Sequence, residues 1–331
     1  MRCCALTRHM ASMLKAIFCR TAGLFFSLWV SGLMTAGAAD LPVMELRQVS
    51  PSVWHVQGLS ELGSPANQNF IANTGLVITS SGVVLIDALG SPALATRLIA
   101  EVKKLTPLPI THVLVTHYHA DHIYGLQVFK AAGARIIAHK SAQIYLNSDT
   151  ARLRLESSRL QIAPWINDNT QLVPADEWLE SDKTLELGGI RFDIKAVGPS
   201  HTPEDLLIHL PAEKLVFVGD LVFRGRIPFV GQADSRRWIG ALDQLLAFNA
   251  KVLLPGHGPA SQNVHQDLQL TRDYLVFLRT SMAQAAERLE PFEAAYLATD
   301  WSRFEQVPMF GIVNRMNAYN TYLLLEQESA K

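Results

Sequence analysis

Residues Val115–Gly125 read VTHYHADHIYG, with three histidines and one aspartate packed between His117 and His122, directly behind the apolar run Ile110 to Val115. A short apolar run reads as a buried strand, and side chains at its C-terminal end leave the sheet and need not stay buried. His117 and His119 are two apart, so in extended geometry both point to one side. Asp121 and His122 follow after a turn and can face a neighbouring position. One short loop can therefore supply two ligands to each of two metals. Imidazole and carboxylate without thiolate suit zinc and also tolerate iron or manganese.

Each metal needs a further ligand from a distant segment, and the sequence offers three. They are His201 in GPSHTPED, Asp220 in FVGD and His257 in LPGHGP, each at the end of an apolar strand or in a Gly/Pro-rich turn. The other histidines of the mature chain, His55, His112, His139, His209 and His265, read as surface or hydrogen-bonded core groups.

With 331 residues, 49% hydrophobic and 18% charged, the chain can bury a large core and is globular. Its start stands apart. Arg2, Arg8, Lys15 and Arg20 precede the uncharged stretch TAGLFFSLWVSGLM, and Ala36 and Ala38 fit an A-x-A cleavage site. This predicts a signal peptide over residues 1–38, with Met1, Met10 or Met13 as the start, and a periplasmic or secreted product. The rival is an uncleaved anchor, since Thr21 to Ala39 is just long enough to span a bilayer. Its glycines, serines and cleavage-site residues favour export, with no stable membrane insertion after cleavage.

All three cysteines, Cys3, Cys4 and Cys19, lie in this leader, so the mature chain holds neither a disulfide nor a thiolate ligand. Cleavage also removes four of the 29 basic residues and none of the 30 acidic ones, leaving 25 against 30. A net negative chain has no global pull toward nucleic acid.

From Val43 to Asp87, short β-rich runs (VMELRQV, SVWHVQGL, NFIANTGLVIT, GVVLIDA) predict a meander of strands. Ser91 to Leu105 begins with a capping Ser and Pro at the first helical position, and predicts a helix. A strand over Ile110 to Val115, a helix over Gly125 to Ala132, a strand over Arg135 to His139 and a polar helix over Ala151 to Gln161 follow. The order then repeats: strands in TLELGG, IRFDIKAV, DLLIHL and KLVFVGD, a helix over Ser235 to Phe248, and the strand VLLP. Two β-then-α halves imply an α/β architecture of two facing sheets with helices outside. From His265 the chain reads as helical, with Leu268, Leu275, Leu278, Met282, Ala285 and Leu289 on one packing face. The organisation expected is one domain over residues 39–260 with a helical C-terminal extension over 261–331.

The string TxHxHxDH, followed in order by GPSHTPEDL, VFVGD and LPGHGP, resembles the metallo-β-lactamase superfamily of metallohydrolases over Val43 to Pro259. The resemblance implies a four-layer αββα sandwich with two zinc ions at one edge of the sheets. It assigns His117, His119 and His201 to the first metal, Asp121, His122 and His257 to the second, and Asp220 to a bridge between them. Asp87, closing the strand VVLID, matches the family's aspartate that stands behind the ligand loop. The implied reaction is attack by a metal-bound hydroxide on a small-molecule ester, thioester or lactam, with Asp121 orienting or shuttling the proton.

Branch-level features point several ways. Asp220 stands where the best-known β-lactamases often carry cysteine, and Phe223 where they carry a substrate-gripping lysine. The motif SHTPED lacks the second histidine of the glyoxalase II branch, having Glu204 and Asp205 instead. Residues Gly219 to Trp238 resemble a periplasmic subgroup, the SoxH-like or quinoprotein relay system metallohydrolases, which implies a periplasmic redox partner tied to sulfur or quinoprotein oxidation. Arg224 and Arg226 follow Asp220 closely enough to grip a substrate carboxylate or sulfonate, or else are solvated or paired with the acidic helix beyond. The loop Leu59 to Asn69 is a flap over the metals or a plain turn. A β-lactamase proper is one alternative within the hydrolases, and two rivals stand outside them: a mononuclear iron enzyme resembling persulfide dioxygenases, and a non-catalytic metal-binding accessory protein.

Overall fold

A computed structural model describes residues 41–329. The expected signal peptide and its start codons lie outside the described residues. Seven strands form the first sheet in chain order: β1 (Arg47–Ser50), β2 (Val53–Val56), β3 (Thr74–Thr79), β4 (Gly82–Ile86), β5 (Ile110–Leu114), β6 (Arg135–His139) and β7 (Glu177–Leu179). Up to β4 the neighbours are antiparallel, and from β4 to β7 they are parallel. A parallel step needs a crossover, and α1 (Pro92–Leu105) supplies the one from β4 to β5. Its start follows the sequence signal, Ser91 accepting from the Leu94 N–H at 3.4 Å ahead of Pro92.

The short helices α2 (Ala120–Ile123) and α3 (Leu126–Ala131) carry the chain from β5 to β6, and α4 (Ala142–Leu146) and α5 (Asp149–Gln161) carry it toward β7. The second sheet runs in the order β12-β11-β10-β9-β8, from β8 (Lys183–Leu187), β9 (Ile190–Ala196), β10 (Leu206–Leu210), β11 (Leu215–Phe223) and β12 (Val252–His257). Only its β11–β12 pair is parallel, and α6 (Ser235–Leu245) provides the crossover. Three helices close the chain: α7 (Val264–Glu287), α8 (Phe292–Ala298) and α9 (Phe310–Ser329).

Alternation along the strands sends one side of each sheet toward the other. Val77, Val84, Ile86 and Leu114 meet Ile194, Ile208, Leu215 and Phe217 in the layer between the sheets. On the outside of the first sheet, Leu85, Val113 and Ile136 pack with Leu94 and Leu98 of α1 and Phe129 of α3. On the outside of the second, Val216 and Val218 pack with Trp238 and Leu242 of α6 and Leu275 and Leu278 of α7. Helix, sheet, sheet and helix make the expected four layers. Val313, Ala318 and Tyr322 of α9 join the same outer cluster, so the C-terminal helices share the second sheet's core.

Four local expectations need correction. The run NFIANTGLVIT pairs only from Thr74; before it, Gln68 and Asn69 adopt positive φ (57° and 64°), and Asn67 Oδ1 accepts from the N–H groups of Ser64 and Asn69, which is turn chemistry. Strand β7 was not anticipated, its three residues being too few to show alternation. Leu289 lies past the end of α7, at φ 53° and 75% exposed, so the packing stripe stops before it. Strand β11 does not end at Asp220 but continues to Phe223, with consequences for the site.

Candidate metal centre

The C-terminal ends of β5, β11 and β12 converge with the loop before β10, and they bring together all seven residues singled out as ligands. His117, His119, His201 and Asp220 form one group and Asp121, His122 and His257 another, the donor atoms of each lying within 4.8 Å of one another. Five of the seven are buried, while His119 and Asp121 are half-buried and border the open side.

Asp220 owes its position to a bulge. Gly219, at φ 49°, breaks the register between β11 and β12, so the carboxylate is turned out of the sheet from within the strand rather than from its end. Gly256 on the neighbouring strand makes room for it: a Cβ there would stand 2.0 Å from Asp220 Oδ1. Asp220 then reaches both groups. Its Oδ2 is 3.4 Å from His201 Nε2, 3.7 Å from His117 Nε2 and 3.3 Å from His257 Nε2, and its Oδ1 is 3.2 Å from His122 Nε2.

The donor set fits divalent cations. A tetrahedral zinc with bonds near 2.0–2.1 Å holds neighbouring donors roughly 3.3 Å apart. His119 Nδ1 and His201 Nε2 are 3.0 Å apart, and Asp121 Oδ2 stands 3.3 Å from His257 Nε2 and 3.7 Å from His122 Nε2. Several of these atoms are buried without a hydrogen-bond partner among the described residues, namely His117 Nε2, His122 Nε2 and Asp220 Oδ1. Orphaned buried acceptors are costly unless a cation satisfies them.

Charge distribution agrees. Burial holds His117, His119 and His201 below the ordinary histidine range, His201 at about 3, so their lone pairs are free at neutral pH. Burial would depress His122 and His257 as well, but Asp220 and Asp121 overturn it and raise both. Burial pushes the two carboxylates up, yet the surrounding histidines hold Asp220 and Asp121 low and ionised. A proton on His122 or His257 thus supplies the positive charge that a cation would bring.

Behind the ligands a network fixes ring orientation. Asp87 Oδ1 accepts from the Thr116 N–H at 2.7 Å, and its Oδ2 accepts from Thr116 Oγ1 at 2.8 Å and His122 Nδ1 at 2.9 Å. With its hydroxyl hydrogen directed at Asp87, Thr116 Oγ1 accepts from His117 Nδ1 at 3.0 Å. His257 Nδ1 donates to the Ile71 carbonyl at 2.8 Å. Each Nε2 is thereby turned toward the cluster.

Sequence reasoning missed several supports. Glu204 Oε1 accepts from the Tyr118 N–H at 3.2 Å, clamping the residue between His117 and His119, and Asp205 accepts from the N–H and hydroxyl of Thr202. Both acids are buried and brace the ligand loops, although Glu204 Oε2 has no hydrogen-bond partner among the described residues. Asn73 donates to the Pro255 and Gly258 carbonyls on either side of His257, a role that nothing in the sequence signals. Phe223, where a lysine would be expected, stacks on His257 with centroids 4.9 Å apart and an interplanar angle of 6°.

The two arginines part ways. Arg224 pairs its Nε with Asp267 at 2.9 Å and donates Nη1 to the Ala260 carbonyl, so its guanidinium is engaged by α7 and the turn after β12. Arg226 is buried, lies over the Phe223 ring at 5.6 Å, and has an Nη1 without a hydrogen-bond partner among the described residues. The loop Leu59 to Asn69 is closed on itself by Asn67, which donates to the Leu62 carbonyl, and tied down at its far end by Asn69, which donates to the Gly90 carbonyl; Trp165 Nε1 donates to its Pro65 carbonyl at 2.7 Å. Of the histidines set aside, His55 is buried with an unpartnered Nδ1, not hydrogen-bonded through it. Among the described residues no helix is long and apolar enough to cross a membrane.

Comparison with known proteins agrees with this geometry. A linear primary-alkylsulfatase of Pseudomonas sp. (strain ATCC 19151) is 24% identical over 239 residues, 61% of this chain but only 45% of that protein. A metallo-beta-lactamase type 2 of Bacillus cereus is 27% identical over 221 residues, 65% of this chain and 77% of its own. The solved structure of a stereoselective inverting sec-alkylsulfatase from Pseudomonas sp. superposes with a TM-score of 0.67 at 18% identity, covering 85% of this chain and 50% of that one, a likeness of fold. A family model described as Metallo-beta-lactamase superfamily matches residues 68–257, which include every residue of the two ligand groups. The chain belongs to the metallo-β-lactamase superfamily, a family of hydrolases.

Proposed function

We propose that the protein is an exported hydrolase that works with two zinc ions, His117, His119 and His201 holding one, Asp121, His122 and His257 the other, and Asp220 both. The observation that carries this reading is the set of orphaned donors at ligand spacing, with Asp220 within 3.2–3.4 Å of donors from both groups. Such a pair supplies, when bound, a water whose pKa falls toward about 7 and Lewis-acid polarisation of the electrophile. Asp121, ionised and facing the open side, orients the attacking water and takes its proton. His119 and Phe229, whose rings lie 6.3 Å apart, flank the approach of the substrate. Burial of the other ligands keeps bulk water from competing for them.

The electrophile is a carbonyl ester, thioester or lactam, or a sulfate ester. Similarity to an alkylsulfatase over 61% of the chain favours adding the last. The test is metal content by mass spectrometry together with a panel of lactam, lactone, thioester and alkyl-sulfate substrates, for wild type and Asp121→Asn. About two zinc ions per chain and a hydrolysis lost in the variant support the reading. One iron per chain with O₂ consumption on a persulfide would replace it with the dioxygenase, and full zinc with no turnover would favour the accessory role. Export rests on residues 1–38 and is checked by the N-terminal sequence of protein recovered from the periplasm, an intact leader in the cytoplasm being the contrary result. The redox-partner reading rests on the resemblance of residues 219–238 alone, and a pull-down against periplasmic extract tests it.

A further inference from the structure

Three of the ligand rings are held from behind by a hydrogen bond: His117, His122 and His257 turn Nδ1 to Thr116, Asp87 and the Ile71 carbonyl. His201 is not. Its Nδ1 is buried and has no hydrogen-bond partner among the described residues. A histidine that binds metal through one nitrogen is ordinarily fixed by a hydrogen bond from the other. What stands around His201 instead is aromatic. The Trp238 ring lies 5.0 Å from it and the Phe223 ring 5.8 Å, both edge-on with interplanar angles of 65°.

Phe223 serves a second ring as well, lying parallel to His257 with centroids 4.9 Å and planes 6° apart. The hydrogen bond from His257 to Ile71 fixes one atom of the imidazole, and a flat neighbour in stacking contact fixes its plane. Centroid separations of roughly 4.5–7 Å are those at which aromatic rings attract beyond the area they bury. His201 belongs to one ligand group and His257 to the other, so one side chain packs on both. Phe223 is itself fully buried, and α7 holds its backbone. Thr271 Oγ1 accepts from the Phe223 N–H at 3.2 Å and donates to the Phe223 carbonyl at 3.4 Å. Thr271 lies beyond residues 68–257, which the family model matches, so a helix past that segment reaches two ligands through one side chain.

We propose that Phe223 is a positioning residue for the metal centre, orienting His201 and His257 by ring packing, and that Thr271 makes the C-terminal helices part of that support. The claim on metal affinity rests on the two-zinc reading; the claim on how His257 is held does not. Phe223→Leu keeps an apolar side chain and loses the flat face, and an aromatic pair lost corresponds to roughly twofold to tenfold in affinity. Thr271→Val keeps the shape of the side chain and loses the hydroxyl, whereas Thr271→Ser keeps the hydroxyl.

The experiment takes purified zinc-loaded protein as wild type, Phe223→Leu, Thr271→Val and Thr271→Ser. Phe192→Leu is the control, replacing an equally buried phenylalanine in the layer between the sheets. For each protein, zinc affinity is read by competition with a chromophoric chelator, solvent exchange of the His257 Nδ1 proton by nitrogen-15 NMR, and global stability by the thermal midpoint. Phe223→Leu should bind zinc roughly twofold to tenfold more weakly and exchange the His257 proton faster. Thr271→Val should move both readouts the same way, and Thr271→Ser should restore them. Phe192→Leu should lower the midpoint and leave zinc affinity and exchange as in wild type. Wild-type affinity and exchange in Phe223→Leu overturn the proposal, as does a Phe192→Leu protein that loses zinc affinity equally, since the effect would then be lost packing alone. Should Phe223→Leu not fold, the Thr271 pair decides: weakened zinc binding in Thr271→Val with recovery in Thr271→Ser supports, and Thr271→Val behaving as wild type overturns. One zinc per chain in every protein, with faster His257 exchange still confined to Phe223→Leu and Thr271→Val, would remove the two-zinc reading and leave Phe223 as the residue that orients His257.

Discussion

Asp87 Oδ2 lies 2.9 Å from His122 Nδ1, a contact made across 35 residues of chain. Through it Asp87 sets the tautomer and direction of a ring whose other nitrogen belongs to a group of residues fit to hold a metal. Replacing Asp87 by Asn tests the role cleanly, because φ there is 64° and Asn tolerates that region, whereas Ala would add backbone strain. Asp87→Asn should fold and lose about tenfold to hundredfold in zinc affinity. Competition against a chromophoric chelator reads this directly, and unchanged affinity would show that Thr116 and the packing alone hold the ring.

A glycine contrast separates room for the site from ordinary helix propensity. Gly256→Ala places a methyl 2.0 Å from Asp220 Oδ1 and should displace the carboxylate that reaches both groups, so zinc per chain falls. Gly240→Ala, within α6 and with nothing inside 4 Å of the added carbon, should instead stabilise by about 1 kcal/mol. Zinc content and urea midpoints of the two proteins check the pair. A fully metallated Gly256→Ala protein would mean that Asp220 can retreat without losing the metals.

The residues around Asp220 show what the sequence could and could not reveal. HYHADH, His201 and His257 were legible because ligand chemistry needs few residue types at fixed local spacing, and the four layers were legible because strand and helix periods differ. Asp220 was legible as a residue but not as a geometry: a bulge depends on how β11 meets β12, and a lone glycine in VFVGD does not announce one. Arg224 and Arg226 look alike in FRGRI, yet one pairs with Asp267 while the other lies over the Phe223 ring with no carboxylate paired to it among the described residues. Only the fold decides which carboxylate comes within reach. Asn73, acting on carbonyls more than 180 residues away, is invisible to any local pattern.

His55 should give the fold a pH dependence of its own. Burial first, and the charge of Arg47 second, hold its pKa at about 4 against an ordinary 6.5. A base with a depressed folded pKa takes its proton more readily when unfolded, so its contribution to stability is whole above pH 6.5 and is lost as pH falls toward 4. The loss is about 2–3 kcal/mol across that window. Urea midpoints of wild type and His55→Gln, measured between pH 4 and 7, should converge as pH falls, because the variant lacks this loss. Parallel curves would show that His55 finds a partner for its proton inside the fold.

Asn317 ties the C-terminal helices to the mouth of the site. Buried on α9, it accepts from the Val230 N–H at 2.9 Å and donates to the Pro228 carbonyl at 2.7 Å and to Tyr274 Oη at 3.1 Å. Between those two backbone groups sits Phe229, whose ring faces His119 at 6.3 Å. Asn317→Ala strands a buried donor and a buried acceptor, a cost of about 2–4 kcal/mol, and should speed hydrogen exchange at Val230 before it affects the β5 amides. A chain cut after Ala260 should fare worse, since it bares Trp238, Leu242 and Val218, which α7 and α9 now cover. We expect it to be insoluble or to bind the hydrophobic dye ANS, whereas a soluble, zinc-binding fragment would establish residues 39–260 as a domain that folds without its C-terminal helices.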